Sequence, residues 1–207
     1  MCSSALELGR DDDCGPSADV LRCRRARLDG GVPIFDYRRL VLSTLLIMVP
    51  WLAFAVLIVT IVAAPVVGVW LAARPRTTAA LLAVALLAVA GLTLYPESGR
   101  EAGVSCAVGW PYLAPTAVES TANILLFVPI AFLAGVRWRR PVVAILGASL
   151  LSALVELVQA VVPAIGRACD TSDWITNTIG ALIGGILAAV ALAWRTRRAS
   201  VAAQRQR

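Results

Sequence analysis

Apolar residues fall into long blocks along this chain, separated alternately by short joints rich in arginine and by loops with few arginines. The first 39 residues are the exception. They are polar, with an acidic run at 11–13 and a basic run at 22–27, and their charges balance. A segment that buries so little apolar surface does not offset its ordering entropy. This predicts a disordered charged tail over 1–39, with its basic part near lipid headgroups. The tail also lacks the apolar stretch expected of a signal peptide. Residues 40–73 then carry no charge at all. A bilayer core about 30 Å thick takes a helix of about 20 apolar residues. The block is long for one upright span and short for two. Pro50 and Pro65 can kink it, so one span is placed near 42–64, with an interfacial continuation ending at Arg74 and Arg76.

Four further spans follow. The second, 77–95, is stopped by Pro96 and Gly99, and a loop covers 96–117. The third, 118–136, closes on Arg137, Arg139 and Arg140. The fourth, 141–162, opens on Pro141, a residue suited to the first helical position. The fifth, 174–194, closes on Arg195, Arg197 and Arg198. Trp174 and Trp194 stand about 30 Å apart along a helix, which fits aromatic anchors at two interfaces. The expected fold is all-α: a polytopic transmembrane helix bundle of about five spans behind a disordered N-terminal tail. It divides into the tail 1–39, an extra N-terminal membrane segment 40–76, a helical membrane domain 77–194 and a basic tail 195–207.

Composition agrees and then excludes. Of 207 residues, 59% are hydrophobic, against about 45–50% in soluble domains, and the mean hydropathy is +0.79. All 19 cations are arginine; lysine and histidine are absent. That removes Ser-His and Cys-His pairs, histidine metal ligands, Schiff-base lysines and the phosphate-loop lysine. Acid–base chemistry would fall to carboxylates. The pI near 9.6 does not point to nucleic acid, because the arginines flank apolar segments and act as topology signals. By the positive-inside rule, Arg74/Arg76, Arg137/Arg139/Arg140 and Arg195/Arg197/Arg198 mark cytoplasmic joints. Loops 96–117 and 163–173 then lie outside, and the C-terminus is cytoplasmic. Five spans place the N-terminus outside, against the arginines of the tail, so its side stays open. The five cysteines form no CxxC pair. No zinc site, other metal or cofactor is expected. Cys106 and Cys169 both fall in outer loops, as a disulfide or as two thiols.

Polar residues of the last three spans gather at one level. Glu119 and Asn123 are four apart, and Glu156 and Gln159 three apart. Each pair therefore shares a helix face. Arg167, Asp170 and Asp173 fill the short loop, and Asn177 sits one turn into the fifth span. Asp173, Asn177, Gly180 and Gly184 are spaced as one stripe, polar outside and small inside. Each residue has a structural reading beside a functional one. Asp173 suits an N-cap, shared with Ser172. Arg167 and Asp170 suit a loop ion pair. Glu119 suits a first-turn carboxylate. Gly180 and Gly184 form a GxxxG packing pair. Glu156 is the hardest to explain locally, since a charge inside an apolar helix normally has a partner. Arg167 is its expected counter-charge. The candidate acid–base residues are thus Glu156, Asp173, Asp170 and Glu119; the candidate ligand-binding residues are Asn123, Gln159, Arg167 and Asn177.

Three segments in order resemble the VanZ-like family of bacterial integral membrane proteins. They are Asn123, Phe127 and Pro129 in an N-x-x-x-F-x-P pattern; Glu156 and Gln159 in E-x-x-Q; and Arg167, Asp170, Asp173, Asn177, Thr178, Gly180 and Gly184 in R-x-x-D-x-x-D-x-x-x-N-T-x-G-x-x-x-G. The resemblance covers about 77–194. It makes Pro129, Gly180 and Gly184 packing residues of the domain. It implies a multi-pass protein of the bacterial plasma membrane. The family's named member is associated with low-level resistance to teicoplanin, a lipoglycopeptide acting on the cell wall, so cell-envelope antibiotic resistance is the function implied. The expected partners are membrane lipids and a cell-wall precursor or lipoglycopeptide, not nucleic acid.

Three functions compete. The first is a non-enzymatic envelope protein whose outward-facing polar site binds a lipid or cell-wall headgroup. The second is a membrane-embedded enzyme using carboxylates on an envelope lipid or precursor. The third is a small transporter with a carboxylate relay, for which neither an internal repeat nor paired broken helices are visible.

Overall fold

The structure is a computed structural model, and it describes residues 51–96, 106–114, 116–165 and 169–205. The tail 1–39 and Arg167 lie outside the described residues. Five helices form the described chain: α1 (Trp51–Leu71), α2 (Pro75–Thr93), α3 (Val118–Trp138), α4 (Pro141–Val161) and α5 (Thr171–Gln204). All five are long and apolar enough to cross a membrane. A short strand pair, β1 (Cys106–Ala107) and β2 (Cys169–Asp170), joins the loop before α3 to the loop before α5 in parallel register.

Proline and turn chemistry set the joints. Pro75 and Pro141 open α2 and α4, where the missing N–H costs nothing because first-turn donors lack helical partners anyway. The Thr78 hydroxyl, 1% exposed, bonds the carbonyls of Leu71 at 2.9 Å and Arg74 at 3.0 Å. It thereby closes the α1–α2 turn. Arg139 ends α3 in the left-handed conformation, φ 56°.

Two ends differ from the sequence expectation. α1 continues as helix through Pro65 to Leu71, past residue 64, where the first span was expected to end. Gly68 explains this: a Cβ there would lie 2.6 Å from the Cβ of Ala191 and 2.9 Å from Cζ of Phe132. The last turns of α1 are held helical against α5 and α3. α5 runs from Thr171 to Gln204, well beyond 174–194. Its alanine- and arginine-rich end keeps good helix formers after the apolar run stops. At 1.5 Å per residue it outreaches a hydrocarbon core of about 30 Å. The basic segment after Trp194 is therefore helix through Gln204.

α5 is the hub, packing against α3, α4 and α1. The centre holds Phe127, Val128 and Ala131 of α3 against Ala181, Ala188 and Ala191 of α5, all essentially inaccessible. Small residues bring backbones together. A Cβ on Gly180 would run into the carbonyl of Ile124, and one on Gly184 into that of Val128 and within 2.9 Å of the Phe132 nitrogen. Outward-facing Val62, Leu87, Leu146 and Leu150 are exposed, as suits lipid contact. Contacts of α5 with α3 run parallel and those with α4 antiparallel. One end of the bundle therefore carries the arginine joints; the other, the loop end, carries β1 and β2.

Candidate functional site

The loop end is built on a polar face of α4. Ser149, Ser152, Glu156 and Gln159 repeat at three- and four-residue spacing and so share one side of the helix. Ser152, Glu156 and Gln159 are buried. Each finds a partner on another element. The Ser149 and Thr178 hydroxyls meet at 2.8 Å. The Asn177 amide nitrogen donates to the Ser152 hydroxyl at 2.9 Å. Glu156 accepts the backbone N–H of Asp170 through Oε2 at 2.9 Å. The Gln159 amide donates to the Thr93 carbonyl at 2.9 Å, occupying an acceptor left over at the end of α2.

A second seam joins α3 to α5. The Asn123 amide donates to Asp173 Oδ1 at 2.7 Å, a short bond of the charge-assisted kind. The stripe of Asp173, Asn177, Gly180 and Gly184 is therefore divided. Asp173 and both glycines face α3, whereas the Asn177 amide reaches α4. α5 sits in the groove between these two helices, so side chains only 40° apart on it meet different neighbours.

The helix start is also placed differently. Asp170, not Asp173 or Ser172, caps α5. Its backbone is extended, and its carboxylate accepts the Ser172 N–H at 2.8 Å. The physical reason is the β bridge: pairing with Ala107 holds Asp170 extended, the backbone state an N-cap requires. Asp173 falls instead in the first turn, facing Asn123. Glu119 lies in the first turn of α3, exposed, and makes no hydrogen bond or ion pair among the described residues. Pro129 stands inside α3.

Cys106 and Cys169 form a disulfide, with Cα atoms 4.5 Å apart. They are also direct partners in the bridge, so the covalent tie and the strand pair fix the same point. Thr171 adds a third fastening. It accepts the Gly109 N–H at 3.0 Å and donates to the Gly109 carbonyl at 3.1 Å. The sequence reading missed Ser149, Ser152, Thr93 and Thr171. The period of Ser149, Ser152, Glu156 and Gln159 was a usable signal for the first two. Nothing local to Thr93 or Thr171 announces their distant partners.

Among the described residues, one buried side-chain atom has no hydrogen-bond partner. Asn177 is 4% exposed, and its Oδ1 accepts no hydrogen bond among the described residues. Such an acceptor normally binds protein, water or ligand. Among the described residues no three Cys, Asp or Glu side chains gather as a metal-binding group.

The VanZ/LLP1 family model matches residues 51–192. The chain belongs to the VanZ/LLP1 family. The match takes in α1 as well as the motif-bearing helices, so the VanZ/LLP1 region begins before the second span. It also covers α2, α3, α4 and the part of α5 that build the loop-end cluster. Comparison with curated proteins and with solved structures finds no match.

Proposed function

We propose that this VanZ/LLP1 protein binds a polar headgroup of an envelope lipid or cell-wall precursor at the outer leaflet, and that binding alters susceptibility to teicoplanin-type lipoglycopeptides. The observation that carries the reading is Asn177 Oδ1. A buried acceptor without a donor costs about 1–3 kcal/mol. The Asn177 amide reaches Ser152 of α4, one turn from Glu156, while Asp173 on the preceding turn of α5 meets Asn123 of α3, and a disulfide fastens the loop at the same end. A hydroxyl or amide N–H of a bound headgroup supplies the missing donor. Arg167 contributes the phosphate- or carboxylate-binding charge in this proposal. The antibiotic connection rests on the family alone, since a fold or family does not by itself specify chemistry.

An outward-facing site requires the loop end to lie outside the cell. Clustered arginines at the opposite end favour that orientation, as does a disulfide, which persists in oxidising compartments. With Cys2, Cys14 and Cys23 replaced by serine, an impermeant maleimide is expected to label intact cells only after reductant. Labelling that requires permeabilised cells would refute the orientation.

The functional test uses Glu156→Gln, Arg167→Ala and Asp173→Asn, at matched membrane levels. Each is expected to return lipoglycopeptide susceptibility toward that of cells lacking the protein, with turnover of envelope lipids unchanged. Wild-type susceptibility in all three would sink the binding site. Lost turnover of a lipid would replace binding with catalysis.

A further inference from the structure

The segment 106–113 has properties that the polar cluster does not use. Val108, Trp110, Tyr112 and Leu113 are 87%, 90%, 75% and 59% exposed. Four large apolar side chains in one short stretch normally bury themselves or meet a partner. This stretch is held at three places. Cys106 is bonded to Cys169, Gly109 makes two hydrogen bonds with Thr171, and the Tyr112 carbonyl accepts the Ser120 hydroxyl at 2.9 Å. Its exposed side chains are thus presented by a fixed backbone.

We propose that residues 106–113 form a membrane-surface anchor, with Val108, Trp110, Tyr112 and Leu113 seated at the boundary of lipid headgroups and acyl chains. Three observations select lipid as the occupant. The segment is fastened to Cys169, Asp170 and Thr171 at the start of α5 and to Ser120 in the first turn of α3, at the level where these apolar helices begin. Exposed Tyr95, just after α2, and Trp174, in the first turn of α5, stand at the same end of the bundle, where interfacial aromatics are expected. No charged residue occurs between Glu101 and Glu119, as entry into a boundary of low polarity requires. Tryptophan and tyrosine favour that boundary because their rings are apolar and their N–H and O–H groups bond headgroups. Trp110 and Tyr112 spend neither group on a hydrogen bond among the described residues. The anchor holds Cys106, and through it Cys169 and Asp170, at the membrane surface. The anchor is the same whichever side the loop end faces, and it needs no ligand in the polar cluster.

The test uses the full wild-type chain in vesicles of phosphatidylethanolamine and phosphatidylglycerol. A trace lipid carries a diazirine high in its acyl chain. Photolysis is expected to leave adducts on 108–113 as well as on Tyr95 and Trp174. Adducts on Tyr95 and Trp174 with none on 108–113 would overturn the anchor and leave the segment for a soluble partner. A second measurement uses a chain whose only tryptophan is Trp110, the others being phenylalanine. Its emission is expected to shift to the blue on reconstitution and to resist acrylamide quenching. Water-like emission, quenched as freely as tryptophan in solution, would also overturn the anchor. The cross-linking result stands by itself if that variant does not fold.

Discussion

Gly184→Leu is expected to destabilise the folded bundle strongly. Even the first added carbon meets the Val128 carbonyl, and it would lie 2.9 Å from the Phe132 nitrogen and 3.1 Å from the Ala131 Cβ. Two of these atoms are backbone, so no rotamer change relieves the clash; α5 must move away from α3. It is poorly placed to do so. The Cys106–Cys169 disulfide fastens its start, and Arg195 donates to the Ala72 carbonyl near the arginine end. Overpacking by a few methylenes typically costs about 1–3 kcal/mol, and a backbone clash at the hub of the fold belongs at or above the top of that range. Total stabilities are about 5–15 kcal/mol, so a loss of that size removes a large share of the margin. Gly147→Ala is the matched control. A Cβ at 147 meets nothing within 4 Å, and alanine gains about 1 kcal/mol of helix propensity over glycine. Unfolding in mixed micelles of rising dodecyl sulfate content should separate the two widely, with the Gly147→Ala curve at or beyond wild type. Coincident curves for wild type and Gly184→Leu would mean that α3 and α5 are not in backbone contact.

Breaking the Cys106–Cys169 bond is expected to lower stability by about 2–4 kcal/mol. The pair closes a separation of 63 residues, and restricting such a loop in the unfolded chain gives the upper figure in the chain-entropy account. α3 and α4 already return the chain to the loop end, so part of that restriction exists without the bond. The measurement is the Tm of the detergent-solubilised protein, with Cys2, Cys14 and Cys23 replaced by serine, with and without reductant. An unchanged Tm would show that the pair is not formed. The local effect should exceed the global one at Asp170. Its N–H is held by Glu156 and its carboxylate by the Ser172 N–H, and both follow directly on Cys169. Amide exchange at Asp170 and Ser172 should therefore accelerate on reduction before the rest of α5 responds.

The spans were legible because bilayer thickness and apolarity act on each segment separately. The third and fourth spans closely match α3 and α4. Proline was less legible. Pro65 reads as a kink near the end of the first span, yet the helix runs on past it, where the close approach of Gly68 to Phe132 and Ala191 packs it against α3 and α5. The cluster was legible as a level rather than as a set of bonds. Asn123, Glu156, Gln159, Asp173 and Asn177 were placed together by spacing, and all stand at the loop end. Their partners were not readable. Gln159 serves the Thr93 carbonyl, and Glu156 serves the Asp170 N–H. Backbone groups carry no mark in a sequence, so such pairings stay hidden. The cap was misread for a related reason. Asp170 and Asp173 have the same side chain, and only the bridge to Ala107 makes Asp170 extended.

By itself, then, the sequence determined how many helices are fit to cross a membrane, where the arginine joints lie and which end of the bundle gathers the polar groups. These follow from composition over windows of about 20 residues. Tertiary structure alone decided that α5 is the hub, that it divides its stripe between α3 and α4, and that Cys106 meets Cys169. A helix apolar on most sides has no preferred face in its own pattern. Its neighbours are chosen by where small residues let backbones approach, and that choice exists only once the helices are side by side.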